Sequence, residues 1–320
     1  MAYLILKALA PIIVIMLLGY WAGKSKLVDN RNVSLLNIFL MDFALPGALF
    51  LATLQTPWAG IVRQMPLVLV LTLSMWIAFA LVYFLAVRVS NKPPQDAAVL
   101  ALTVALPNYA ALGLPVLNGV FGESTGISLS VAVSISCGAV LMTPFCLMIL
   151  EAAKAAERGE RTSVGALLPK LVWLSCRKPI VYGPLAGVLA SALLGAAGMQ
   201  PPELLIVAMK PLSGAALAAA LFLTGVILSA RTLKINAPVV LGTLVKNIAQ
   251  PLLAFGIVLL FGIGHDVGRA GVLLVALSAG FFGVVFGNRY GVQSPDSEGA
   301  LLVSTGAFVA TIPLFILFTA

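Results

Sequence analysis

Residues 101–122 read ALTVALPNYAALGLPVLNGVFG, an apolar stretch interrupted by Pro107, Asn108, Gly113, Pro115 and Asn118. Proline removes a backbone donor and clashes with the preceding turn, so a helix through this stretch must break. In hydrocarbon, a break is tolerated only where the freed groups face protein or a water-filled cavity. Two half-helices then present N–H and C=O groups at mid-membrane, the arrangement that forms small-solute sites in secondary transporters. The positive ends of half-helices favour anions, and the Asn108 amide can add a direct contact. The same residues also suit a packing kink. Asn118 is equally suited to lining a site and to joining helices.

Three charged residues stand inside apolar stretches: Asp42, Lys210 and Lys246. Each costs about 2.5 kcal/mol or more at a bilayer centre, so each calls for a partner, a cavity or a coupling role. Lys210 is a candidate partner for Asp42, and Lys246 could instead balance a bound anion. An ion pair or snorkelling to the interface is the structural alternative. Ser134, Ser136, Ser304 and Thr305 are matched small hydroxyls that pack helices more often than they bind ions.

Other chemistries lack their residues. GYWAGKS is one residue short of a phosphate loop, and no His-Glu-x-x-His is present. The sole histidine, His265, falls between two apolar stretches, which leaves no Ser-His-Asp set within them. Cys137, Cys146 and Cys176 are scattered, with neither disulfide nor zinc spacing. No enzyme, cofactor or metal site is expected.

The elements that position these residues follow from composition. Of 320 residues, 61% are hydrophobic and 9% charged, with a mean hydropathy of +1.09. Soluble domains carry about 25% charged residues. The expected fold is therefore an all-α integral membrane protein. Ten stretches are long enough to span, at 3–22, 33–54, 67–87, 97–122, 126–150, 180–198, 204–229, 237–261, 270–291 and 298–318. The first is long enough to be a spanning helix rather than a signal peptide.

The net charge of +8 sits in loops rather than in a nucleic-acid patch. Odd-numbered loops and their edges hold Lys24, Lys26, Arg31, Arg88, Lys92, Arg231, Lys234, Arg289 and the basic residues of the 151–179 link. Even-numbered loops hold only Arg63 and Arg269. That asymmetry places the odd loops in the cytoplasm and both termini outside a cell membrane.

The link divides the chain into residues 1–150, a cytoplasmic linker at 151–179, and residues 180–320. Five spans per half is an odd number, so a duplication would be an inverted repeat. LGLPVLNGVFG can be laid on FGVVFGNRYGV, pairing Gly113 with Gly283 and Asn118 with Asn288. Further along, Pro144 pairs with Pro313.

These stretches resemble the auxin efflux carrier family. LPNYAALGLPVL is similar to its fourth-helix motif, ALSAGFFGVVFGNRYGV followed by SPD to the ninth-helix counterpart, and VKNIAQPLLAF to its eighth helix. The resemblance covers nearly the whole chain, and the short central link resembles compact bacterial members. It implies two five-helix repeats with helices four and nine broken and crossing. It also implies a scaffold of helices one, two, six and seven. The crossing would fall at Pro107 and at Ser278 to Gly283, including Gly280, although many members carry prolines where Ser278 and Gly283 stand.

The expected activity is secondary transport of a small organic anion, with malonate or a related carboxylate implied by the resemblance. An auxin-like indole acid, or sodium-coupled symport of larger amphipathic anions, are the alternatives. Proton or sodium coupling and a homodimer stay open at this stage.

Overall fold

The computed structural model describes residues 2–30, 32–55, 62–157, 169, 173, 176–177, 179–230 and 235–320. Most of the 151–179 linker lies outside the described residues. The helices are α1 (Ala2–Lys24), α2 (Ser34–Ile38), α3 (Leu45–Leu54), α4 (Met65–Arg88), α5 (Pro94–Ala105), α6 (Leu114–Phe121), α7 (Thr125–Cys137) and α8 (Thr143–Glu157). They continue with α9 (Pro179–Ala196), α10 (Glu203–Ser229), α11 (Ala237–Leu244), α12 (Gln250–Leu260), α13 (His265–Val275), α14 (Phe282–Tyr290) and α15 (Pro295–Phe318). Among the described residues, six helical stretches are long and apolar enough to cross a membrane, and three shorter ones are apolar. The protein is thus an all-helical, multi-span membrane protein.

Proline placement explains much of the local structure. Pro94, Pro238 and Pro295 sit in the first turn of their helices, where the missing N–H has no intrahelical role. Four wide π turns occur at Phe39–Ala44, Tyr109–Gly113, Gly138–Met142 and Val245–Ala249. Each is followed two residues later by a proline, namely Pro46, Pro115, Pro144 and Pro251. The proline ring crowds the carbonyl four residues back and cannot donate to it. The turn before it widens, and one extra residue is accommodated.

The chain forms two compact units, and each takes segments from both halves of the sequence. The first comprises residues 1–66, 109–136 and 177–231. It contains the four segments that the family resemblance assigns to a scaffold, together with residues 109–136. Small residues let its helices approach closely. A Cβ on Gly19 would meet the Phe222 carbonyl, and one on Gly225 the Met16 carbonyl, so α1 and α10 touch backbone to backbone. Gly183 and Gly187 lie likewise against Pro46, Phe50 and Thr53 of α3. The Thr53 hydroxyl donates to the Pro184 carbonyl at 3.0 Å.

The second unit comprises residues 67–108, 137–176 and 232–320. At its centre is α5, buried on every side from Ala97 to Ala105. A helix apolar all round belongs in such a core. Packed on it are α11 through Gly242 against Val104, and α14 through Gly283 and Gly287 against Val99 and Thr103.

At one end of this unit three helix starts are tied together. Lys92 Nζ lies 2.9 Å from Asp96 in the first turn of α5 and 2.7 Å from Asp296 in the first turn of α15. Asn236 caps α11 by accepting from the Val239 amide, and its Nδ2 donates to Asp296 at 2.6 Å. Burial disfavours the Lys92 ammonium, but the hydrogen bonds and charges of Asp296 and Asp96 outweigh it and hold Lys92 above its ordinary value.

A raised lysine stabilises the fold below its unfolded pKa of about 10.5, and that contribution fades as pH rises through the folded value. Lys92→Met removes hydrogen bonds to charged groups worth about 1.5–3 kcal/mol. It should lower the unfolding midpoint by roughly 3–12 °C at neutral pH. The difference between native and variant melting curves should shrink in strongly alkaline solution. Equal midpoints at neutral pH would show that the cluster adds nothing.

Candidate functional site

Two interrupted helices meet inside the second unit. α5 ends at Ala105 and Leu106 turns extended, with φ −94° and ψ 107°. Six residues, 276–281, separate α13 from α14. Pro107 and Ala279 pair as an antiparallel bridge, and the Asn108 amide donates to the Ser278 carbonyl at 2.9 Å. The Gly280 amide donates back to the Leu106 carbonyl at 2.8 Å and to Thr103 at 3.1 Å. Glycine is required at the contact, because a Cβ on Gly280 would meet the Leu106 carbonyl and one on Gly283 the Val99 carbonyl and Thr103 hydroxyl.

The remaining groups at the interruptions are taken up by side chains. Gln250 Nε2 donates to the Ala105 carbonyl at 2.7 Å, at the end of α5. Lys246 Nζ donates to the Val275 carbonyl at 2.6 Å, at the end of α13, and to Gln250 Oε1 at 2.9 Å. One face of a single helical stretch thus covers the C-terminal ends of both half-helices. The amide of Ala279 donates to Ser304 Oγ at 2.9 Å. Ser304 Oγ in turn donates to Asn247 Oδ1 at 2.6 Å, and Asn247 Nδ2 returns a bond to the Ser304 carbonyl at 3.0 Å.

Two polar atoms at the meeting point are left over. Asn108 Oδ1 and Ser278 Oγ are buried without a hydrogen-bond partner, and their residues are 3% and 0% exposed. Buried polar atoms are rarely left unpaired, so these two groups call for a partner the fold does not supply. Beside them begins α14, whose first amides have no partner within their own helix.

Of the residues singled out in the sequence, Pro107, Asn108, Ser278, Gly280, Gly283 and Lys246 come together here. Gly113, Pro115 and Asn118 lie in the first unit. There Gly113 packs against Val131, Pro115 is buried, and half-buried Asn118 keeps an unpaired Oδ1. Asn288 lies in α14, but its side chain is outside the described residues. Asp42, on the Phe39–Ala44 π turn, and Lys210, on α10, are both exposed. Among the described residues they form no ion pair with each other, so the pairing considered from the sequence is not made. A cavity of about 540 Å³ in the first unit, lined in part by Gln55, Ser191, Met199 and Gln200, contains none of these residues.

Gln250, Asn247 and Ser304 were not expected to hold the interruptions. The signal was present in VKNIAQP, where Lys246 and Gln250 stand four residues apart on one helical face. Ser304 was read as packing, and it instead receives an amide freed by the second break.

The family model described as "Membrane transport protein" matches residues 4–316. The chain belongs to this family. The auxin efflux carrier resemblance is borne out by that match, and the protein is a transporter rather than an enzyme. It is 28% identical over 309 residues to "Uncharacterized transporter YfdV" of Escherichia coli (strain K12), covering 96% of this chain and 95% of the relative. It is 24% identical over 307 residues to "Putative malonate transporter" of Rhizobium meliloti (strain 1021), covering 94% and 92%.

Ser304→Ala should leave the Ala279 amide and Asn247 Oδ1 buried and unpaired, and so destabilise by about 1–3 kcal/mol for each orphaned group. Adding Asn247→Leu should cost less than the sum of the two single changes, because the partners are removed together. Unfolding in detergent provides the double-mutant cycle. Strict additivity would show that the two residues do not form one network.

Proposed function

We propose that this transporter is a secondary carrier of a small organic anion, with malonate or a related short carboxylate as substrate, working by alternating access of the elevator type. In this reading the chain crosses the membrane ten times as two inverted five-helix repeats, with both termini outside the cytoplasm. The fourth crossing is α5, the Pro107–Asn108 break and α6. The ninth is α13, the break at 276–281 and α14. The short apolar helices Ile13–Lys24 and Val181–Ala196 supply the first and sixth crossings, and the six long stretches the others.

The observation that carries the reading is the meeting of the two breaks, where the Asn108 side-chain amide and the Ser278 hydroxyl can each donate a hydrogen bond to a carboxylate, and where Asn108 Oδ1 and Ser278 Oγ have no partner in the fold. Beside them are the N-terminal amides of α14, and Lys246 bonds the Val275 carbonyl, three residues before Ser278. An isolated amide end favours negative charge by the helix dipole. Among the described residues, no carboxylate side chain is hydrogen-bonded to the breaks, so a bound cation would meet no opposite charge there. Alternating access through breaks of this kind is the common design of secondary transporters. The malonate name of the Rhizobium relative supports a short dicarboxylate.

Purified protein in liposomes should take up labelled malonate saturably and show counterflow. Asn108→Ala should reduce uptake about tenfold, the effect of losing one buried hydrogen bond of about 1.4 kcal/mol, while leaving the melting curve nearly unchanged. No uptake across a panel of short mono- and dicarboxylates would overturn the reading. Uptake that requires a sodium gradient would favour sodium-coupled symport instead.

A further inference from the structure

Among the described residues, Lys246 is buried without a counter-charge. Its side chain is fully shielded, and its partners are two neutral oxygens, Gln250 Oε1 and the Val275 carbonyl. A neutral amine has two N–H donors and satisfies both, whereas the ammonium brings a third donor and a full charge.

The packed surroundings offer no carboxylate. The elements against the Val245–Ala249 turn are α11, α12, α15 and α5. No ionisable side chain occurs on α11 or α12. Those on α5 and α15 are Asp96, Asp296 and Glu298, all in the first turn. Each is about 9 Å or more of helix away from Ala105 or Ser304, at which these helices reach the network. On α13, His265, Asp266 and Arg269 occupy the first turns, and Val275 is the last residue. Among the described residues, the only side chain bonded to Lys246 is Gln250.

An unpaired buried charge is so unfavourable that the group gives up its proton instead. Lysine can do this and arginine cannot. A nearby anion reverses the preference, because opposite charge favours the protonated form. The geometry supplies that neighbour. Lys246 bonds Val275, three residues before Ser278, and its partner Gln250 bonds Ala105, three residues before Asn108.

We propose that Lys246 takes up one proton when a carboxylate binds at the meeting of the two breaks and releases it when the carboxylate leaves, so the protein is a proton–carboxylate symporter. The inference rests on the anion-carrier reading above. The proton comes from water on the side of entry, resides on Lys246 Nζ during transit, and returns to water on the side of exit. No bond other than this N–H forms or breaks. The charge moved per cycle is that of the anion reduced by one.

The test is proton uptake on binding. Purified protein in weakly buffered detergent solution, at mildly alkaline pH where malonate is a dianion, is mixed with saturating malonate while a pH indicator is followed. Calorimetry on the same samples counts bound malonate. The native protein should take up about one proton per malonate bound. Lys246→Arg, permanently charged, should bind malonate with no uptake. Lys246→Gln should bind it more weakly, also with no uptake. Malonate binding to the native protein without proton uptake overturns the coupling and leaves the anion-carrier reading intact. Undiminished uptake in either variant places the proton on the substrate or another group, and also overturns it. Absence of binding to the native protein by malonate and by every other short mono- or dicarboxylate of the panel overturns the anion-carrier reading and the coupling with it.

Discussion

Backbone amides and carbonyls cannot be left unpaired in hydrocarbon, and a helix broken there releases several at once. The second unit meets this constraint by setting one break against the other. The extended residues at Pro107–Asn108 and Ser278–Gly280 bond to each other, much as two short strands would. What they cannot supply, Gln250, Lys246 and Ser304 do. Every one of these side chains sits in the first turn of, just before, or well inside a neighbouring helix, so the site is held by rigid elements rather than by loops.

The proline pattern serves the same end. Each of the four π turns stands two residues before a proline. In the Val245–Ala249 turn the extra residue lets Lys246 and Asn247, adjacent in sequence, both point inward, where one reaches the end of α13 and the other reaches Ser304. A regular helix separates neighbouring side chains by about 100°, which makes such joint inward pointing harder to achieve. Pi turns are frequent at functional sites, and here the reason is visible in the hydrogen bonds.

The membrane class and the first break were legible from composition and from Pro107–Asn108 alone, because proline chemistry is local. The positively charged loops and the long apolar stretches likewise announced the helices. The second break was not readable from its own residues. The stretch from Ser278 to Gly283 contains no proline, and only the weak internal repeat and the family resemblance pointed there. Least legible was the partner set. Gln250 reaches a carbonyl at Ala105, and Asn247 a hydroxyl at Ser304, across long stretches of sequence that no periodicity connects. Mid-span charge was likewise visible as a cost but not as a place. Lys246 proved fully buried, whereas Asp42 and Lys210 proved exposed. Burial depends on which face a helix turns to its neighbours, and the wide turn at Phe39–Ala44 shifts that face.

The account stands or falls on what occupies the meeting of the two breaks. A high-resolution structure of the purified protein with saturating malonate measures this directly. The account predicts density for the carboxylate within hydrogen-bond reach of Asn108 and Ser278, beside the first turn of α14. Malonate density elsewhere, with neither Asn108 Nδ2 nor Ser278 Oγ donating to it, would contradict it.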